Sequence, residues 1–131
     1  MKRYLVVPFA LAALIVGAQA WAHHSFAATY LEDQSVTIEG QLVQFLLRNP
    51  HSFVHVMVKE PDGTTVRYVV EWGSPAQLRD KVSRDTLRPG DHVIISGNPG
   101  RNPADHRVRL LTFQRPSDGF SWGMLPDEKF D

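Results

Sequence analysis

VTIEGQLVQFLL, residues 36–47, decides how this chain is built. Val36 and Ile38 alternate with Thr37 and Glu39, the period-two pattern of a strand with one buried face. After Leu42 the phase slips, and Val43, Phe45 and Leu47 carry it on. Gly40 stands mid-strand. A slip beside a mid-strand glycine predicts a bulge that lets the strand bend around a barrel corner.

The runs that follow fit such a barrel. Arg48-Asn49-Pro50 breaks the first strand. Ser52 to Lys59 has two faces, Val54, Val56 and Val58 on one and Phe53, His55 and Met57 on the other. Glu60 to Gly63 is a turn, and Thr65 to Trp72 is a third strand forming an antiparallel hairpin with the second. Ser74, Pro75 and Gln77 are the cap, first residue and capping-box partner of a short helix. Leu78 and Val82 share its face, and it should end near Ser83. Strands four (His92 to Gly97) and five (Arg107 to Gln114) flank a Gly/Asn/Pro-rich loop. The order β-β-β-α-β-β is that of a mainly β, five-stranded OB-type barrel with one short helix. A small open sandwich of the same strands is the alternative.

Met1-Lys2-Arg3 and the uncharged run to Ala18 read as a signal peptide; the run is too short for a membrane span. Cleavage after Ala20 or Ala22 fits the small residues there. The expected organisation is a signal peptide at 1–22, a barrel domain at 23–114 and a tail at 115–131. The tail either packs through Phe120, Trp122 and Met124 or stays mobile. Removing Lys2 and Arg3 turns the balance of 14 basic and 14 acidic residues into a net charge near −2. That disfavours nucleic acid as a partner. No cysteine is present, so thiol catalysis and thiolate metal sites are excluded.

Read together, His23-His24-Ser25-Phe26, Asn49-Pro50-His51, Glu71-Trp72-Gly73-Ser74-Pro75, Pro89-Gly90-Asp91 and Gly97-Asn98-Pro99-Gly100-Arg101 resemble an uncharacterised family of small exported bacterial proteins. The resemblance covers nearly all of the mature chain. It implies export and one small β-rich domain, and no activity.

The histidines suggest a metal. A cut after Ala22 gives His23 both a terminal amine and an imidazole, the start of a nitrogen set that suits copper(II). His24, His51 and His55 are candidate further ligands. A cut after Ala20 puts His23 at position three, a different square-planar copper site. Both are weighed against a frayed, functionless terminus. His55 and Met57, near Trp72, suit copper(I) in the manner of small periplasmic copper chaperones, against a plain packing role.

Phe53, Tyr68 and Trp72 are candidates to stack on a small ligand, and Arg101 to meet an anion. Glu71 is an acid or base with no partner visible in the sequence. No hydrolase or metalloprotease motif occurs. The expectation is a non-enzymatic periplasmic or secreted module that binds a small ligand or a metal ion, copper first, with no stable membrane span after cleavage. The competing class is an adaptor or stabilising protein for another envelope component.

Overall fold

A computed structural model describes residues 26–78 and 80–124. The segment read as a signal peptide, His23, His24 and the end of the tail lie outside the described residues. The sheet belongs to a compact unit that begins at Tyr30, and residues 26–29 form a helical turn in the unit before it.

The elements are β1 (Val36–Leu46), β2 (Phe53–Lys59), β3 (Thr65–Glu71), α1 (Pro75–Leu78), β4 (His92–Pro99), a 3-10 turn (Pro103–Asp105), β5 (Arg107–Arg115) and β6 (Phe120–Gly123). β1 is the bent strand that its sequence predicts. Its first half pairs antiparallel with β4, from Val36–Gly97 to Gln41–His92. Its second half pairs with β2, and the register shifts between Leu42 and Gln44, where the apolar phase slips. One strand thus serves two neighbours. The parallel pairing of β3 with β5 closes the five strands into a barrel.

Glycine sits where backbones approach most closely. A Cβ on Gly40 would collide with the Met57 carbonyl oxygen across the β1–β2 pair. A Cβ on Gly97 would collide with the Arg109 carbonyl oxygen, beside the second register shift, between Ser96 and Gly97. No side chain fits at either place.

Inside the barrel lie Leu42, Val54, Val56, Val70, Val93, Ile95, Val108 and Leu110. Leu78, Val82 and Leu87 close one end of this core. The capping box forms as its spacing predicts: Gln77 N–H donates to Ser74 Oγ (3.3 Å), and Ser74 N–H donates to Gln77 Oε1 (2.8 Å). The helix is shorter than predicted, ending at Leu78 and not near Ser83. The Leu78 carbonyl accepts from both Lys81 and Val82 N–H, and Ser83 N–H turns forward to Thr86 Oγ1. With that N–H on a hydroxyl, the turns after α1 do not run on as helix past Ser83.

Residues after 114 continue the sheet. A turn at Gly119 leads into β6, which pairs with β5 from Thr112–Gly123 to Arg115–Phe120. Trp122 is buried edge-on against Trp72 at 5.2 Å, and Trp72 stacks on Phe113 at 5.6 Å.

Candidate functional site

β3 ends between β2 and β5, and this places Glu71. Val70 points into the barrel and Glu71 to the opposite side, where strand alternation would normally offer it water. Instead it is covered, with 9% exposure. Tyr30, fully buried, donates its hydroxyl to Glu71 Oε2 at 2.5 Å. His51 Nδ1 lies 2.7 Å from Glu71 Oε1. A carboxylate only accepts, so Nδ1 carries the proton and donates. Arg107 Nη2 approaches Glu71 Oε2 at 3.5 Å. Burial first, and then the bond to Glu71, push the Tyr30 hydroxyl far above its ordinary range.

Tyr30 is held there by the segment that follows it. Leu31 N–H donates to the Pro99 carbonyl, and the buried Asn98 amide donates to the carbonyls of Glu32 and Gln34. Arg109 Nη1 pairs with Glu32 Oε1 at 2.8 Å. This strap brings the residues before β1 across the ends of β4 and β5.

A groove of about 400 Å³ opens beside the strap, where β1 begins and β4 finishes. Leu31, Val36, Ile38, Tyr68 and Val108 give it an apolar lining. Gln34, Thr37, Arg101, Asn102, His106 and Arg107 supply its polar lining, and among the described residues no carboxylate lines it. His106 follows the 3-10 turn in the left-handed region (φ 46°, ψ 50°), its N–H on the Pro103 carbonyl. Its ring meets Tyr68 edge-on at 5.3 Å, and the Tyr68 hydroxyl is anchored on Glu60 at 3.0 Å. Burial, then the Glu60 bond, raises the Tyr68 pKa.

Arg107 belongs to both places. Its guanidinium lies 5.8 Å over the Tyr30 ring. Its Nε is buried without a hydrogen-bond partner among the described residues. A buried cationic donor left unsatisfied is costly.

The residues singled out in the sequence go to different places. Arg101 is exposed and lines the groove, whereas Phe53 and Trp72 do not. Phe53 is on the outside of β2 under the Arg48 guanidinium at 4.8 Å. Trp72 is core, on the far side of the sheet from Phe53, His55 and Met57, because Val54, Val56 and Val58 carry the inward face of β2. His55 Nδ1 accepts from Arg67 Nε at 3.0 Å. Burial, then the Arg67 and Arg48 charges, hold His55 below the usual imidazole pKa. His51 has Glu71. Among the described residues, no group of three His, Asp or Glu side chains is arranged to hold a metal ion. Phe120 and Met124 pack against the core beside the buried Trp122. No helix among the described residues is long and apolar enough to cross a membrane.

Tyr30 and Arg107 were not legible as site residues. Tyr30 lies outside every strand pattern, and Arg107 opens strand five with nothing in the sequence to set it apart. The usable signal was Glu71, a carboxylate in an apolar strand, which demands partners from elsewhere in the chain.

No curated protein matches the chain. A family model matches residues 11–109, and the chain belongs to that family, DUF6152, a family of unknown function.

Proposed function

We propose that this is an exported, non-enzymatic barrel that binds a small molecule in the groove beside the Tyr30 strap. The observation that carries this reading is the groove itself. It is concave, about 400 Å³ in volume, apolar in most of its lining and fitted with a few convergent polar groups. Those are the attributes of small-ligand sites. Trp72, by contrast, is packed among Phe45, Phe113 and Trp122.

The test is a ligand-observed NMR screen of the exported protein against a fragment library, repeated on Gln34→Trp. Gln34 lines the groove and is exposed, so the indole fills the space without entering the core. Binders should be found and most should be lost in the variant. Binders that all survive Gln34→Trp would overturn the groove as the site.

A second reading, copper binding through His51 and the histidines before it, is favoured by one observation. Glu71 accepts from His51 Nδ1, as carboxylates do when they orient a metal-ligating imidazole. His51→Ala should then weaken copper binding more than tenfold in a competition titration. Unchanged affinity would remove His51 from any ligand set.

A further inference from the structure

We infer that the ligand is a small amphipathic carboxylate, its charge met by Arg107 and its apolar body laid along Val36, Ile38 and Tyr68. This rests on the groove being the binding site. The chain as a whole is charge-balanced, with 14 basic and 14 acidic residues. The groove's lining is not: among the described residues Arg101, His106 and Arg107 line it, and no Asp or Glu does. Such one-sided charge in a low-dielectric cleft concentrates anions.

Arg107 carries the argument further than charge alone. Its nearest counter-ion, Glu71, is already engaged by Tyr30 at 2.5 Å and His51 at 2.7 Å, and meets Arg107 only at 3.5 Å. A guanidinium has five N–H donors in a planar fork. Here one donor makes a long contact and Nε makes none among the described residues. A two-oxygen acceptor is the complement of that fork, and a carboxylate supplies one. The volume selects an organic body as well. About 400 Å³ is on the order of thirteen water volumes, far more than an inorganic anion fills. The apolar lining has no use for a fully polar ligand.

The experiment titrates the full exported protein with a panel of aliphatic and aryl monocarboxylates of four to ten carbons, each paired with its neutral amide. Isothermal calorimetry is run at low and high salt. At least one acid should bind tenfold or more tightly than its amide, and salt should narrow the gap. Arg107→Gln should erase the gap while the weak amide binding persists. Arg107 also braces Glu71, so Arg101→Gln, at an exposed position of the groove, serves as a second variant, checked for an unchanged unfolding transition, and should lower acid binding about threefold. Acid and amide binding equally, both abolished by Gln34→Trp, would overturn the carboxylate inference and leave the groove standing. Library binders in the groove with no acid among them would do the same. Binding untouched by Gln34→Trp would remove the groove and the inference together.

Discussion

Tyr30 is the residue on which the strap turns, and its hydroxyl carries a pH signature. Held above its ordinary range by burial and by Glu71, it keeps its proton in the folded protein where an unfolded tyrosine, with a pKa near 10.0, releases it. Its contribution to stability is therefore complete below about pH 10 and is lost as pH climbs beyond it. Tyr30→Phe should cost about 1–3 kcal/mol at neutral pH, because the buried Glu71 loses a donor. It should also flatten the alkaline limb. Urea unfolding from pH 7 to 11 measures both, and parallel alkaline limbs in wild type and variant would count against this account. Neither Tyr30 nor its partners could be paired from sequence, because Glu71 and Tyr30 are 41 positions apart and no periodicity links them.

Among the elements, β1 was the most readable and β6 the least. The slip after Leu42 marks the observed register shift because alternation records which side of the sheet each residue faces. The capping box was equally readable, since its partners lie within one turn. α1 ends early and gives way to turns in which Lys81 and Val82 N–H share the Leu78 carbonyl, local bonds that leave no periodic trace. β6 is four residues long, too short for alternation to stand out. The demand at Gly40 is steric and tests the β1–β2 pairing directly. Gly40→Ala should destabilise by about 3 kcal/mol or more, since the added carbon meets backbone and not a movable side chain. Gly123→Ala, whose Cβ would meet only Thr112 Cγ2 at 4.0 Å among the described residues, should be near neutral in the same denaturation series. Equal costs at the two positions would show that close strand approach is not what Gly40 serves.

At the scale of the whole molecule, the barrel wall depends on residues beyond the fifth strand. β3 covers one edge of β5 at residues 107–109, and β6 covers the same edge at residues 112–115. Trp122 then seals Trp72 and Phe113. A chain ending at Arg115 should lose the sharp near-UV circular dichroism of this aromatic cluster and unfold with weak cooperativity, because the stacked rings face water. It also loses Asp118, whose carboxylate pairs with Arg115 at 2.8 Å. Retained near-UV signal and a sharp transition in the truncated chain would show the five strands to be self-sufficient. The five-strand order was legible because each strand carries its own pattern. The groove was not, because it is assembled from segments around residues 31–38, 68 and 99–108.

That assembly has a thermodynamic corollary. An unfolded chain holds the groove's segments apart and has no pre-formed surface for the ligand. Occupancy and folding are then linked by mass action, and the free energy of occupancy is added in full to the stability of the fold. At a free ligand concentration a hundred times Kd the gain is about 2.7 kcal/mol, a sizeable share of what holds a domain of this length together. On the proposed function, a barrel built this way is sturdier in a compartment that supplies such a ligand than in one that does not.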